Sequence, residues 1–258
     1  MKKISVLLLI LCLILCFASC GDKIVLESNT DLGLVRVGAV ASTYGEKYAK
    51  ECGSENVTVF ENIEAASAAL AADEIDCIIT DFNTAKAAAS ASDDITTTET
   101  RIIEDIDYYA AVRSDDFDTL AVTEVVTSEL DKETDFSKLC RGFIENIGHD
   151  RDAFITEDRF GTSGVFKLGV IGNIPPYSYV TDSGKIAGIS VEYAKRFAQK
   201  RDQTLEVKVY DNYSELSNAL KSGEIDLFFR DAPLPAFPGI SYTTVCYTVE
   251  LRVLIAEK

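Results

Sequence analysis

Two carboxylates stand at the same place in a repeated motif. Residues 64–81 read EAASAALAADEIDCIITD and residues 214–231 read SELSNALKSGEIDLFFRD. Ala69-Leu70, Glu74-Ile75-Asp76 and Asp81 return 150 positions later as Ala219-Leu220, Glu224-Ile225-Asp226 and Asp231. Each copy predicts a short helix, a tight turn, a buried apolar strand and an Asp just past the strand's C-terminal end. Open α/β sheets bind ligands at that end. A carboxylate there suits an ammonium or another cation. Two carboxylates converging across a cleft could also divide acid–base work, but a binding mouth is the plainer reading. Other chemistries lack their residues. The single histidine, His149, lies in a polar stretch. No Ser/His/Asp set, phosphate-binding Gly loop or Cys/His cluster stands out. A non-enzyme without metal or cofactor is expected.

The elements that must position these carboxylates follow from periodicity. Ile63, Ala66 and Leu70 make one apolar helix face, and Tyr213, Leu216 and Leu220 make its counterpart. Upstream, strand 35–40, helix 45–51 and strand 57–60 precede helix 63–72 and strand 75–79. Helix 82–91 follows, with Asp81 placed to cap it. A Thr/Asp/Ser stretch leads to strands 101–104 and 107–113. Two helices come next, one marked by Phe117, Leu120, Ala121 and Val125, the other by Phe136 through Ile147. Residues 148–164 are polar and aperiodic and read as a linker.

A second βαβ series then begins with strand 166–171. Pro175-Pro176 forces an extended turn, and Asp182-Ser183-Gly184-Lys185 reads as a hairpin turn. Ser190 is placed to cap the next helix. Strand 205–209, helix 213–221, strand 225–229, a proline-rich loop and a long strand 247–256 complete the chain. Alternating strands and helices predict two α/β lobes with mostly parallel sheets facing one cleft.

Composition bounds the partners. The chain has 258 residues, 47% of them hydrophobic and 26% charged, which is globular rather than disordered. A net charge of −17 disfavours nucleic acid and anionic lipid as partners. Lys2 and Lys3 precede an almost unbroken apolar stretch, Ile4 to Phe17, followed by Ala18, Ser19 and Cys20. This is the pattern of an exported chain's signal peptide. A Cys directly after the small residues resembles a bacterial lipoprotein signal, which implies lipid on Cys20. Cys52, Cys77, Cys140 and Cys246 show no paired spacing; Cys77 and Cys140 read as buried free thiols.

Residues 166–258 resemble the first lobe of the bacterial extracellular solute-binding proteins of family 3, the amino-acid-type receptors of ABC importers. The resemblance lies in FKLGVIGNIPPYSY, DSGKIAGISVEYAKRFA, ALKSGEIDLFF and ISYTTVCYTVELRVLIAEK, in that order. Residues 31–113 resemble the second lobe, through DLGLVRVGAVASTYGEKYAKE, the first copy of the repeat and YYAAVRSDD. The implied fold is periplasmic-binding-protein-like type II, with each lobe a sheet flanked by helices. The lobe order is inverted relative to the family, as in a circular permutation or a tandem pair without its outer halves.

The resulting layout is a signal peptide (1–19), a tether (20–31), a second-lobe-like domain (32–112), helices packing on the first lobe (113–148), a linker (149–164) and a first-lobe-like domain (165–258). The implied protein is a lipid-anchored, extracytoplasmic monomer that captures a small polar solute for an ABC permease. A relative that has lost transport and acts as a sensor or protein-contacting module is the other reading.

The resemblance also implies roles. Ser42 and Thr43 fall in the second lobe's ligand loop, whose amides and hydroxyls would bind an anionic group. Asp81 matches the acid that receives a ligand ammonium. Tyr213 matches an aromatic wall, with Tyr177 and Tyr179 nearby. The family's carboxylate-clamping Arg is missing after Phe229, where the chain reads Arg230-Asp231-Ala232-Pro233. Arg230 is the available substitute, and Asp231 stands beside it at the cleft.

Overall fold

A computed structural model of the chain describes residue 26 and residues 29–98, 104–130, 132, 134–158, 160–231 and 237–257. The expected signal peptide, Cys20 and most of the expected tether lie outside the described residues. A 3-10 turn, Asn29–Leu34, leads into β1 (Val37–Val40), α1 (Tyr44–Glu51), β2 (Val57–Phe60), α2 (Ile63–Ala71) and β3 (Cys77–Asp81). α3 (Phe82–Ser90), β4 (Ile95–Thr97) and β5 (Asp105–Arg113) follow, then α4 (Phe117–Leu130) and α5 (Thr134–Asn146). Beyond the linker come β6 (Val165–Ile171), β7 (Asn173–Ile174), β8 (Ser178–Val180), β9 (Ile186–Ala187), α6 (Ile189–Lys200), β10 (Thr204–Tyr210), α7 (Tyr213–Ser222), β11 (Phe228–Asp231), β12 (Ile240–Tyr242) and β13 (Tyr247–Ala256).

The two repeats fold alike because the same residues do the same work. Asn62 caps α2 by accepting from the Ala65 amide, and Asn212 caps α7 by accepting from the Glu215 amide. Asp73 and Gly223 turn the chain in the left-handed region after each helix. The Asp76 carboxylate accepts from the Arg36 amide at 2.7 Å, and the Asp226 carboxylate accepts from the Lys167 amide at 2.8 Å. The shared Asp of Glu-Ile-Asp therefore ties its strand to the first strand of the lobe. The shared Ile is buried in each copy, over Gly38 in one and Gly169 in the other; a Cβ there would lie 2.4 Å from its Cδ1.

β1 pairs in parallel with β2 and β3, and β6 pairs in parallel with β10 and through one bridge with β11. These are the parallel cores of two lobes. The longest strands behave differently. β5 runs antiparallel to β11, and β13 runs antiparallel to β3. They pair with each other through Tyr247–Glu250 and Asp105–Tyr108. Each half of the chain thus lends a strand to the other half's sheet. The strand pairing therefore crosses between the expected blocks 32–112 and 165–258.

The two connecting helices also divide their attention. α4 lies along α6 of the 165–258 half, whereas α5 lies along α3 of the 32–112 half. The sequence reading put both on the first lobe. α5 still touches that lobe, with Phe143 meeting Tyr179 edge-on at 6.4 Å between ring centroids.

Other departures are local. β4 and β12 are three-residue strands inside stretches read as loops, too short to show a period. β3 and β11 begin two or three residues later than expected and include Asp81 and Asp231 as their last residues. Ser190 lies inside α6, which starts after Gly188 without a side-chain cap. Pro175-Pro176 is a cis peptide between β7 and β8. The expected strand 101–104 lies outside the described residues except for Glu104.

Candidate functional site

A cavity of about 230 Å³ opens between the lobes. Among the described residues its lining includes Ser42, Thr43, Asp81, Tyr177, Tyr213 and Asp231. Tyr179 and Arg230 are not in it.

Asp81 is buried at the end of β3 and is held from several sides. Its Oδ1 accepts from the Asn83 and Thr84 amides, both at 3.0 Å, and so caps α3. The same oxygen accepts from the Tyr177 hydroxyl at 2.6 Å. Its Oδ2 accepts one long bond, 3.4 Å, from Tyr108. Capping and ligand-binding geometry are compatible here, because the cap and Tyr177 use one oxygen and leave the second with only the long contact from Tyr108.

Asp231 is the counterpart at the end of β11. Its Oδ2 accepts from the Tyr44 amide at 2.6 Å, across the cleft at the first residue of α1. Burial pushes its pKa up to about 6, against the lowering effect of the Tyr44 amide and of Arg230. Two carboxylates thus reach from the equivalent strand ends to the opposite lobe.

The loop before α1 does not wait for an outside anion. Thr43 caps α1, accepting from the Glu46 amide at 3.3 Å and donating its own hydroxyl to the Val40 carbonyl at 2.7 Å. Ser42 sits at φ 61°, in the left-handed region, and its amide donates to Glu46 at 2.6 Å. With Tyr44 given to Asp231, the helix's positive end faces the protein's own carboxylates.

Strand geometry separates Arg230 from Asp231. Successive side chains point to opposite faces, so with Asp231 in the cavity the Arg230 guanidinium lies over the Tyr213 ring, 4.7 Å from its centroid. Tyr177 precedes β8, in the turn after the cis peptide, so it need not share a face with Tyr179. Tyr179 is buried instead beneath Arg151, whose guanidinium lies 5.2 Å from the ring centroid.

Sequence reasoning missed two wall residues. Tyr108 of β5 and Tyr247 of β13 are directly paired and stacked at 4.8 Å, and Tyr177 stacks on Tyr108 at 4.7 Å. Burial holds all three hydroxyls well above the usual tyrosine pKa. It also missed Glu61 and Asp211, exposed residues of the lining. The signal was present: the repeat extends back three positions, as Glu61-Asn62-Ile63 and Asp211-Asn212-Tyr213. No group of three or more His, Cys, Asp or Glu that could hold a metal occurs among the described residues. Nor is any described helix long and apolar enough to cross a membrane.

Residues 166–232 match the model of the bacterial extracellular solute-binding proteins, family 3. The membrane-bound lytic murein transglycosylase F of Actinobacillus pleuropneumoniae serotype 5b is 35% identical over 63 residues, 24% of this chain. The chain spans 13% of the length of that curated relative. Among solved structures, the GluR0 ligand-binding core with L-glutamate aligns with a TM-score of 0.48 at 11% identity, covering 87% of this chain and 85% of that one. An amino acid ABC transporter substrate-binding protein of Streptococcus pneumoniae, bound to L-arginine, gives 0.42 at 12%, covering 86% and 81%. Within a two-lobed α/β chain, residues 166–232 are therefore similar to the bacterial extracellular solute-binding proteins, family 3.

Proposed function

We propose that the protein captures a small polar solute, an amino acid or an amine-bearing derivative, between its lobes and delivers it to an ABC importer. One observation carries this reading. Asp81 and Asp231, at the C-terminal ends of equivalent strands, line a single interlobe cavity. The family match supports it. β5 and β13 cross between the lobes and are the natural hinge for closure. A lipid on Cys20 would hold the monomer at the outer face of the cell membrane, beside its permease. The protein is read as a binder, not an enzyme.

A thermal-shift screen of the full-length chain against amino acids, their derivatives, amines and neutral solutes tests capture. A solute at a hundred times its Kd stabilises the fold by about 2.7 kcal/mol, a visible shift. A sensor or protein-contacting role is the second reading. It is favoured by the bonds from Asp231 to Tyr44 and from Tyr177 to Asp81, which already join the lobes. A folded protein that answers no solute supports that role instead.

A further inference from the structure

The charged residues lining the cavity are Glu61, Asp81, Asp211 and Asp231, and among the described residues no Lys, Arg or His lines it with them. The next stretch of chain, 232–236, reads Ala-Pro-Leu-Pro-Ala and contains no base. The four acids form two pairs spaced by the repeat. Glu61 and Asp211 are exposed, whereas Asp81 and Asp231 are buried.

The positions that would receive a carboxylate are taken. The Tyr44 amide at the start of α1 holds Asp231, and the Ser42 amide holds Glu46. Arg230 lies outside the lining and stacks on Tyr213. A carboxylate entering here would meet like charges at both lobes and, among the described residues, no cation in the lining to pair with.

The walls point to the opposite charge. Tyr108, Tyr177, Tyr213, Phe229 and Tyr247 line the cavity, and aromatic faces attract cations. A separate feature also asks for a donor. Among the described residues, Asp81 Oδ2 has a single long contact, 3.4 Å from the Tyr108 hydroxyl, and is an acceptor for an ammonium N–H.

Building on the capture reading, we infer that the solute is a small organic cation without a free carboxylate, of simple-amine size. The cavity of about 230 Å³ fits such a molecule; larger, drug-sized ligands occupy roughly 300–1,000 Å³. The family match alone does not carry this step; the lining does.

Calorimetric titration of the full chain with matched pairs tests it: cadaverine against L-lysine, and agmatine against L-arginine. Each pair differs by one carboxylate. The amine should bind, and its amino acid should bind at least roughly tenfold more weakly, or not at all. Asp231→Asn should weaken the amine by roughly tenfold or more, with folding checked by its melting temperature. An amino acid that binds as tightly as its amine overturns the inference, as does an Asp231→Asn variant with unchanged affinity. If a neutral solute binds while both pairs stay silent, the charge assignment falls and capture stands. Silence across all classes overturns both.

Discussion

Asp231 is a buried carboxylate that ionises reluctantly, and the folded protein bears that cost. Its pKa rises from 3.8 to about 6, chiefly through burial. A raised pKa means that its stabilising contribution is complete below the unfolded value, near pH 4, and is lost as pH rises through about 6. Asp231→Asn keeps an oxygen for the Tyr44 amide and removes the charge. At pH 7 the variant should therefore be more stable than the parent by about 3 kcal/mol, with the gap closing toward pH 4. Denaturant melts at several pH values check this; a gap that does not change with pH would contradict it. Asp81→Asn differs, because it weakens three amide and hydroxyl bonds at the cap and the cross-lobe tyrosine. Affinity for an amine should fall by about 1.5–3 kcal/mol. At this scale the repeat made both acids legible. Arg230 was not legible, because strand alternation decides its direction, and an Arg beside the right Asp carries no mark of which face it takes.

The elements owe their placement to short, local devices that the sequence does display. Asn62 and Asn212 each cap their helix from the same repeat position. Replacing either by Ala should cost about 1 kcal/mol, and the two costs should be similar and additive, since the sites lie in different lobes. Urea midpoints of the single and double variants measure this. Gly45 is a stricter requirement. It is the second residue of α1, and a Cβ there would lie 2.4 Å from the Ile79 carbonyl oxygen. Gly45→Ala must push α1 off β3, at a cost of roughly 1–3 kcal/mol, and should weaken solute binding because Ser42 and Thr43 move with it. An unchanged melting temperature would show that α1 has room to shift. Helix and strand identities were readable from the 3.6 and 2 periods. β4 and β12 were not, because three residues carry no period.

Across the whole molecule the lobes are joined by exchange and by side-chain hydrogen bonds, the two shortest of them to buried carboxylates. β5 and β13 pair with each other and then with the opposite sheets. Tyr177 donates to Asp81, and Tyr44 donates to Asp231. Tyr177→Phe removes one of these bonds while leaving the ring stack in place. Stability should fall by about 1.5–3 kcal/mol, the range for hydrogen bonds to charged groups. The radius of gyration in solution should rise as open forms gain population. Small-angle scattering of parent and variant reads this directly, and identical profiles would mean that the crossing strands and the remaining Tyr44–Asp231 bond hold the lobes without it.

The repeat, the alternation of strands and helices, and the strand-end acids are properties of near neighbours along the chain. Sequence alone therefore determined the α/β class, the two equivalent units and the strand-end placement of Asp81 and Asp231. It also carried the family resemblance of residues 166–232. What meets what across the cleft was decided only in three dimensions. The Tyr44–Asp231 bond joins residues 187 positions apart, and the Tyr108–Tyr247 stack depends on how two distant strands cross. No local period encodes such pairs. They arise because the lobes trade strands, which brings one unit's strand-end acid, Asp231, onto the first residue of the other unit's helix α1.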